Sequence, residues 1–421
     1  MYLIYSVLLT IAFSLSLPFY LWKGWGTGRY LRTFLDRMRG PGDSLRVDGH
    51  SFWIHAVSVG EVLAARSLIS PLKERFPDVP IYVSATTVTG HAVASSSLRG
   101  VDGVFFAPFD WVGPVRRTLR SLRPALLLLV ETEIWPNLIH EAKRHGARVA
   151  LVNGRISPRS FSRYRRIRAF MARVLSDVDL FLMQGEAHAQ RVRELGAAPE
   201  RVRVLGNLKF DAAEAPPLAG LASLFATRHG APVWVAGSTV AGEEEMVLRA
   251  YRRVRERIPQ AGLIVAPRHP ERFAEVPPLV EAAGFRCVRR SVLGPEGWQN
   301  GSVVLLDTLG ELAQVYPFAS VVFVGGSLVP AGGHNILEAA MAGKAVVVGP
   351  HMENFQEIAE QFRSDEALAQ VRSEEDLAQQ VLSLLTDEAR RERMGERARA
   401  LVERNRGGVR ETVRALAGLV G

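Results

Sequence analysis

The segment that decides the fold reads GGHNILEAAMAG, from Gly332 to Gly343. It lies between two apolar runs, Val321–Val324 and Ala345–Val348, which predict two strands with a helix between them. Glycines before a helix let the backbone approach a ligand closely, and the unpaired N–H groups of a helix start attract an anion. The pattern therefore predicts an α/β domain that holds a nucleotide at the carboxyl ends of parallel strands.

The polar side chains of this segment refine the prediction. His334, Asn335 and Glu338 are three or four residues apart, so in a helix they would share one face. Glu338 would then lie about one turn behind the phosphate site, where a carboxylate can accept hydrogen bonds from two ribose hydroxyls. The alternative is an ordinary helix start with a solvated glutamate, because glycine-rich turns between strand and helix are common.

The rest of the chain alternates apolar runs with helical patterns, in two series. The runs are continuous rather than alternating in polarity, as expected of parallel strands covered by helices on both faces. The first series is Phe52–Val57, Ile81–Ala85, Gly103–Ala107, Ala125–Val130, Arg148–Val152, Leu180–Met183 and Val202–Leu205. The second is Val233–Gly237, Leu263–Ala266, Phe285–Val288, Val303–Leu306, Val321–Val324 and Ala345–Val348. A linker rich in alanine and proline, Asp211–Gly220, separates them and predicts two Rossmann-like α/β domains, at 25–211 and 212–421, that face each other across a cleft.

The N-terminus predicts a membrane anchor in residues 1–24. The stretch from Tyr2 to Trp22 contains no charged residue, and as a helix it would measure about 31 Å, enough to cross a bilayer core. It has neither the basic start nor the small-residue cleavage site of a signal peptide. The basic residues that follow place the body on the cytoplasmic face of the membrane. A helix lying in the membrane interface is the alternative, because serines and Thr10 interrupt the apolar run.

The net charge of the chain indicates which partners it suits, and its cysteine content indicates the compartment. The chain of 421 residues has a formal net charge of +9 and a pI of about 10.0, which suits an anionic membrane or substrate. No nucleic-acid partner is expected, because no zinc spacing, RNP pattern or basic zipper is present. The single cysteine, Cys287, suits a reducing compartment. The stretch Gly154–Ser176 contains seven arginines and no acid, and it suits an anionic membrane or a phosphorylated lipid unless it is only a solvated helix.

Acidic residues at two predicted strand ends are the candidates for catalysis. Glu61 follows the first strand at the start of a helix, where a carboxylate can act as general base on a sugar hydroxyl. A glutamate favoured only by the helix dipole is the alternative. Glu131 and Glu133 end a very apolar strand, where an unpaired carboxylate is costly, so a functional role is favoured. Of the two, Glu131 is preferred because it lies closer to the strand.

Cationic residues at other strand ends suit a phosphate. Lys209 lies at the interdomain boundary, where it would face a leaving phosphate unless it is only a solvated linker residue. Arg268 ends a strand, and its forked guanidinium suits a phosphate or a carboxylate. The turn Asp307–Leu312 offers backbone N–H groups and a carboxylate. No metal site is expected, because the spacing of Asp177 and Asp179 is interpreted as structural and no other ligand cluster is evident.

Together these motifs resemble the Kdo transferase family, which adds 3-deoxy-D-manno-oct-2-ulosonic acid (Kdo) to the lipid A precursor. The resemblance covers nearly the whole chain. The matching segments are Trp53–Val62, Glu131–Asn137, Gly206–Asp211, Ala266–Phe273, Asp307–Leu312, Phe323–Leu328 and Gly332–Ala340. The resemblance implies the glycosyltransferase B (GT-B) fold, with two Rossmann-like domains and an N-terminal membrane-anchor helix in the cell inner membrane.

The resemblance also implies an inverting glycosyltransferase that needs neither metal nor cofactor. The donor would be CMP-Kdo and the acceptor lipid IV-A, at a membrane containing anionic lipids. Glu61 would be the general base, and Glu131 and Lys209 would stabilise the transition state. Fixed positive groups would oppose the charge that grows on the departing phosphate. The implied CMP contacts are Arg268, His269, Leu309, Gly310, Glu311, Asn335, Ile336, Leu337 and Glu338.

The sequence departs from the family pattern at two positions. Val240 stands where the family usually has a histidine, so a donor contact through that histidine is in question, and Asn207 stands where serine is common. Two other functions stay open. One is another GT-B enzyme, or a sugar-nucleotide epimerase, that uses a UDP-sugar. The other is a non-catalytic membrane-bound protein that binds phosphorylated lipid.

Overall fold

The computed structural model describes residues 1–24, 29–41, 45, 47, 49–211, 230–293, 297–298 and 300–420, with side chains omitted for 17–24 and 29–32. The chain divides into two compact units. One comprises Met1–Ala212 together with Arg406–Gly421, and the other comprises Ala213–Asn405. Each is an α/β unit with its own parallel sheet, as expected from the two series of apolar runs.

The first unit is built on a seven-stranded parallel sheet with the order β3-β2-β1-β4-β5-β6-β7. The strands are β1 (Ser51–His55), β2 (Ile81–Ala85), β3 (Gly103–Phe106), β4 (Pro124–Val130), β5 (Arg148–Gly154), β6 (Leu180–Met183) and β7 (Val202–Val204). The helices are α1 (Tyr2–Gly24), α2 (Arg29–Arg39), α3 (Val59–Arg75), α4 (Val88–Ser97), α5 (Val112–Leu122), α6 (Pro136–Arg144), α7 (Pro158–Arg166), α8 (Arg168–Ser176) and α9 (Glu186–Glu194).

The two faces of this sheet belong to separate apolar cores, which is why its strands read as continuous apolar runs. Trp53 and Leu127 lie in one core with helices α5 and α6. Ile54 and Leu128, their neighbours in sequence, lie in the other core with helix α3. Strands β1 and β4 pair directly, with Ile54 opposite Leu128, and every residue of the two strands except Ala125 is buried.

The second unit has a seven-stranded parallel sheet with the order β10-β11-β9-β8-β12-β13-β14. The strands are β8 (Val233–Thr239), β9 (Gly262–Pro267), β10 (Arg286–Arg289), β11 (Ser302–Leu305), β12 (Val321–Val324), β13 (Ala345–Val348) and β14 (Leu368–Gln370). The helices are α10 (Glu243–Arg257), α11 (Val276–Ala282), α12 (Leu312–Val315), α13 (Leu337–Met341), α14 (Gln356–Ser364), α15 (Glu374–Thr386) and α16 (Glu388–Asn405). Strand β14 had no counterpart among the predicted strands.

The last helix, α17 (Gly408–Val420), differs from the expectation that the chain end belongs to the second domain. Its buried residues Val409, Val413 and Leu416 join the core of the first unit. The carboxylate of Asp211 fixes the start of this segment, because it accepts hydrogen bonds from the backbone N–H groups of Gly407 at 2.6 Å and Val409 at 2.7 Å. The chain thus returns to the first unit after completing the second.

The expectation of a membrane-spanning N-terminal anchor requires correction. No helix in the described part of the chain combines the length and apolar character needed to cross a bilayer, so a single N-terminal anchor is not supported.

One face of helix α1 instead packs against the rest of the first unit. The ring of Tyr2 stacks on His140 with 4.0 Å between centroids, and Phe13 packs against Phe109 and Trp111. The opposite face, formed by Leu3, Ile4, Val7, Leu8, Ile11 and Leu15, is exposed. The part of α1 whose side chains are described, up to Ser16, therefore lies on the surface and has an apolar outer side.

Candidate functional site

The acids singled out from the sequence meet at one edge of the first sheet. The strand order changes direction between β1 and β4, and open α/β sheets bind ligands at the carboxyl ends of strands at such a point. Glu61 lies in the first turn of α3, just after β1, and Glu131 and Glu133 directly follow β4. The negative charges of Glu133 and Glu131 both act on the carboxyl group of Glu61. The three carboxylates thus form one acidic cluster.

Glu61 is a buried carboxylate held by two local hydrogen bonds. Its Oε2 accepts from the backbone N–H of Val57 at 2.7 Å, and its Oε1 accepts from the hydroxyl of Ser58 at 2.8 Å. Burial, followed by the charge of Glu133, raises the pKa of Glu61 to about 7, and the two hydrogen bonds act in the opposite direction. Both protonation states of Glu61 are therefore populated near neutral pH, as general acid–base chemistry requires.

Glu131 leaves strand β4 through an unusual backbone conformation. Its φ of +59° lies in the left-handed region, which costs about 1–2 kcal/mol for a residue with a Cβ. Lys209 Nζ lies 3.6 Å from Glu131 Oε1, and both side chains are largely buried. This distance is that of an ion pair and is too long for a hydrogen bond. The strained turn therefore brings Glu131 beside a fixed positive charge.

A network of amide side chains positions Lys209. Lys209 lies in a short 3₁₀ turn, Leu208–Phe210, where its backbone N–H donates to Asn207 Oδ1 at 3.0 Å. The N–H of Leu208 donates to Asn153 Oδ1 at 3.0 Å, and Asn207 Nδ2 donates to Gln184 Oε1 at 3.2 Å. Asn207 therefore serves as the cap of the turn that carries Lys209.

Glu133 connects the acidic cluster to its surroundings. The indole N–H of Trp135 donates to Glu133 Oε2 at 2.7 Å, and the Trp135 ring packs edge-on against buried His55 at 4.6 Å. Burial, and then the charge of Glu131, raises the pKa of Glu133, although the Trp135 hydrogen bond opposes this. Burial raises the pKa of Tyr164, and the charge of Glu133 adds to the effect. Helix α7, the first of two helices formed by the arginine-rich stretch, therefore adjoins the acidic cluster.

The second unit gathers three cationic or hydrogen-bonding side chains at its strand ends. Arg268 and His269 directly follow β9, and His334 lies in the loop after β12. Burial lowers the pKa of His334 to about 4, and the positive charges of Arg268 and His269 contribute. Among the described residues His334 Nε2 has no hydrogen-bond partner. Such a cluster suits an anionic ligand, and His334 was quoted in the sequence motif without being assigned a donor contact.

The loop from Gly332 to Ile336 is not the helix start that the sequence predicted. Helix α13 begins only at Leu337 and has five residues. Gly332 and Gly333 adopt positive φ angles of +88° and +73°, so they are not part of a helix. Asn335 Oδ1 accepts from the N–H of Leu337 at 3.1 Å, and Asn335 Nδ2 donates to Glu338 Oε1 at 3.1 Å. The predicted neighbourhood of Asn335 and Glu338 is therefore present, but His334 lies outside the helix.

The turn between β11 and α12 presents Leu309, Gly310 and Glu311. The side chain of Leu309 is exposed, and Gly310 has a φ of +82°. The Glu311 carboxylate accepts a hydrogen bond from the Thr308 hydroxyl at 2.6 Å and lies 3.1 Å from the Arg290 guanidinium. The Glu311 carboxylate is thus engaged within the protein, whereas the backbone of Leu309 and Gly310 lies at the surface.

Sequence reasoning missed the structural importance of Glu243. Its fully buried carboxylate accepts hydrogen bonds from the N–H groups of Val240 and of three successive residues, Gly326–Leu328, at 2.6 to 3.1 Å. The carbonyl of Gly326 in turn accepts from the N–H of Gly333 at 2.7 Å. Glu243 therefore fixes the turn on which the glycine loop rests, and the only signal in the sequence was a glutamate after Gly242 at a helix start.

Asp177 and Asp179 are both engaged by contacts within the first unit. Asp179 pairs with Lys143 at 2.8 Å and accepts from the N–H of Val149, and Asp177 accepts from the hydroxyl of Tyr2. The described residues contain no group of three or more His, Cys, Asp or Glu side chains arranged to hold a metal ion.

Known proteins resemble this chain in sequence and in fold. The family model "3-Deoxy-D-manno-octulosonic-acid transferase (kdotransferase)" matches residues 32–212, and "Glycosyl transferases group 1" matches residues 302–401. A 3-deoxy-D-manno-octulosonic acid transferase of Haemophilus influenzae is 32% identical over 406 residues, which cover 96% of this chain and 95% of that protein. Another, of Bordetella pertussis, is 35% identical over 377 residues, covering 88% and 87%.

A crystal structure of a putative UDP-N-acetylglucosamine 2-epimerase from Listeria monocytogenes shares the fold, with a TM-score of 0.55 and 12% identity. It covers 88% of this chain and 96% of that chain, and the likeness concerns the fold alone. The two parallel-sheet units are thus those of GT-B-like proteins. Given the identity to the Haemophilus influenzae and Bordetella pertussis enzymes over most of its length, this chain belongs to the 3-deoxy-D-manno-octulosonic acid transferase family and is a glycosyltransferase.

Proposed function

We propose that this enzyme transfers Kdo from CMP-Kdo to lipid IV-A with inversion and without a metal ion, and that Glu61 is the general base. The observation that supports this proposal most strongly is the burial of Glu61 together with its raised pKa. It is a nearly buried carboxylate at the carboxyl end of β1, and burial beside Glu133 raises its pKa to about 7. A group whose pKa lies near the working pH takes up and releases a proton with little penalty.

The proposed step is a single displacement. Glu61 removes the proton of an acceptor hydroxyl while that oxygen attacks the anomeric carbon of Kdo. The bond between the anomeric carbon and the phosphate oxygen breaks on the opposite face, and CMP leaves with the electron pair. The configuration at the anomeric carbon is inverted, and the proton on Glu61 then passes to water. Lys209, which is paired with Glu131, supplies a fixed positive charge that stabilises the negative charge developing in the transition state.

The proposed donor site lies in the second unit. Arg268, His269 and His334 offer positive charge and N–H groups to the CMP phosphate, on which charge grows as the sugar departs. Glu338, oriented by Asn335, accepts hydrogen bonds from the ribose hydroxyls. The remaining proposed CMP contacts are the surface turn of Leu309, Gly310 and Glu311 and the segment Ile336–Leu337.

The proposed acceptor is a lipid, and the outer face of α1 supports a location at the inner membrane. That face exposes Leu3, Ile4, Val7, Leu8, Ile11 and Leu15. Phe170 of α8 packs against Tyr2 and Tyr5 of α1, so the second helix of the arginine-rich stretch adjoins α1. An apolar helix face beside arginines is typical of a helix that lies in the plane of an anionic membrane interface.

The decisive test is mass spectrometry of lipid IV-A after incubation with the enzyme and freshly made CMP-Kdo. We expect a mass increase of one or more Kdo units, with release of CMP. Parallel reactions with UDP-sugars serve as the specificity control. Transfer from a UDP-sugar but not from CMP-Kdo would refute the donor, and lipid binding without transfer from any donor would refute the enzymatic proposal.

A thermal-shift titration tests the donor separately from the acceptor. We expect CMP to stabilise the protein more than UDP does, because binding to the folded state alone raises the melting temperature. Stronger stabilisation by UDP would favour an enzyme acting on UDP-sugars.

A further inference from the structure

A hydrogen-bond chain through Asp110 joins helix α1 to the start of helix α6. The hydroxyl of Tyr5 donates to Asp110 Oδ2 at 2.9 Å. The same carboxylate accepts from the backbone N–H groups of Asn137 at 3.1 Å and Leu138 at 2.7 Å. Asn137 Nδ2 donates to the hydroxyl of Ser6 at 3.0 Å and to the carbonyl of Asp110 at 2.6 Å. Two residues of α1 therefore contact the first turn of α6 directly or through Asp110.

Asp110 caps α6 from a distant part of the chain. Trp135, which occupies the N-cap position of α6, makes no side-chain cap hydrogen bond, so Asp110 satisfies N–H groups that would otherwise lack a partner. Asp110 is 7% exposed, and burial raises the pKa of its carboxyl group to about 7, while the hydrogen bonds from Tyr5, Asn137 and Leu138 act in the opposite direction. The Tyr5 hydroxyl is thus one of the donors that keep a buried carboxylate in its capping role.

The start of α6 lies close in sequence to the loop that carries Glu131 and Glu133. Only residues 131–135 connect the end of β4 to α6, and they include Glu131 and Glu133. Trp135 fixes this loop from its other side, since its indole donates to Glu133 and its ring packs against His55. A connection this short transmits a shift of α6 to both acids.

We propose that Tyr5 and Asp110 are positioning residues of the transfer reaction, because they hold the start of α6 and thereby place Glu131 and Glu133 beside Glu61. The kinetic part of this inference rests on the proposed function. The outer side of α1 is the proposed membrane face, so one helix serves two purposes. It contacts the membrane with one face and sets the geometry of the acidic cluster with the other.

The test uses the full chain with CMP-Kdo and detergent-solubilised lipid IV-A. We expect Tyr5→Phe to lower kcat about tenfold, the order of effect of losing one buried hydrogen bond. The KM for CMP-Kdo should stay unchanged, because the proposed donor contacts lie in the second unit. Tyr2→Phe is the matched control, since it removes a hydroxyl from the same helix that donates to Asp177 instead. It should retain the wild-type kcat.

Hydrogen–deuterium exchange supplies a readout that does not depend on activity. Amide exchange in residues 131–138 should increase in Tyr5→Phe and in Asp110→Asn, and should not change in Tyr2→Phe. If the wild-type protein fails to transfer Kdo to lipid IV-A, the proposed function falls, and the exchange experiment still decides the positioning role. Equal effects of Tyr5→Phe and Tyr2→Phe, or a loss of kcat without increased exchange, would overturn the inference.

Discussion

The ammonium nitrogen of Lys209 lies 3.6 Å from a carboxylate oxygen of Glu131, between the end of β4 and the 3₁₀ turn Leu208–Phe210, and both side chains are largely buried. Each charge compensates the other where water is scarce. Removing one partner from such a pair leaves an uncompensated charge, which typically costs about 3–5 kcal/mol.

We therefore expect Glu131→Gln and Lys209→Met each to lower the free energy of unfolding of the first unit. The double variant should lose less than the sum of the two, with a coupling energy of about 1–3 kcal/mol. Urea denaturation of all four proteins measures the coupling. Glu186→Gln, which breaks an exposed ion pair with Arg193, is the control and should cost about 1 kcal/mol or less. Additive losses at Glu131 and Lys209 would show that the two charges act independently.

Replacing Glu61 by glutamine should remove the general base while keeping the shape of the side chain. We expect kcat to fall about 10²- to 10⁴-fold, with the affinity for CMP unchanged. Glu74→Gln is the matched control, because Glu74 is an exposed glutamate on the same helix. Steady-state kinetics and the CMP-induced thermal shift check both expectations. Near-normal turnover in folded Glu61→Gln would eliminate the general-base role.

The pH profile should report the pKa of Glu61. The base is active when deprotonated, so kcat/KM should fall as the pH drops below about 7, the raised pKa of Glu61. In Glu133→Gln a neighbouring negative charge is lost. The pKa of Glu61 should then decrease, and the acidic limb should move to lower pH. Glu186→Gln should leave the limb in place, and an unshifted limb in Glu133→Gln would contradict the proximity of the two carboxylates.

Arg268 should contribute to donor affinity through its charge and its forked geometry. We expect Arg268→Ala to weaken CMP binding about 10- to 100-fold, and Arg268→Lys to have an intermediate effect. Arg257→Ala, at an exposed arginine of α10, is the control. Calorimetric titration with CMP at two salt concentrations provides the measurement. Equal affinities of the Arg268→Ala and Arg257→Ala proteins would exclude a phosphate contact at Arg268.

The outer face of α1 should govern adsorption to membranes. Leu8→Glu combined with Ile11→Glu should reduce cosedimentation with phosphatidylglycerol vesicles by about tenfold or more, because two exposed apolar side chains are lost. Ser96→Glu, on exposed helix surface of α4, is the control for added negative charge. Binding that is equally strong in the double variant would place the membrane-facing surface elsewhere.

Much of the fold could be predicted because buried parallel strands are continuous apolar runs. All thirteen predicted strands correspond to strands of the structure, with ends that differ by at most two residues. Strand β14 was missed because it has only three residues, Leu368–Gln370, and reads Leu-Ala-Gln. Helix α17 was assigned to the wrong unit because its apolar face does not specify which core it joins. For α1, composition alone does not distinguish a helix that crosses a bilayer from one that lies on a protein surface.

The candidate site was predictable where residues follow strands that end at the same sheet edge. Glu61 and the two acids after β4 meet for this reason. What local patterns do not contain is contact between distant segments. Tyr5 and Asp110 are 105 positions apart, and the loop anchored by Glu243 lies 83 to 85 positions beyond it. The loop at Gly332 and Gly333 was wrongly predicted to be a helix start, because paired glycines are compatible with both a helix start and a left-handed turn.

Because α17 lies in the first unit, the polypeptide passes between the units twice, and order along the chain does not match order in space. Deleting the last sixteen residues would remove part of the unit that holds Glu61, although in the sequence those residues directly follow the unit that holds Arg268. An expression fragment intended to isolate the second unit should end at Asn405. A fragment intended to isolate the other half needs its tail supplied as a separate peptide or joined through a short artificial connection.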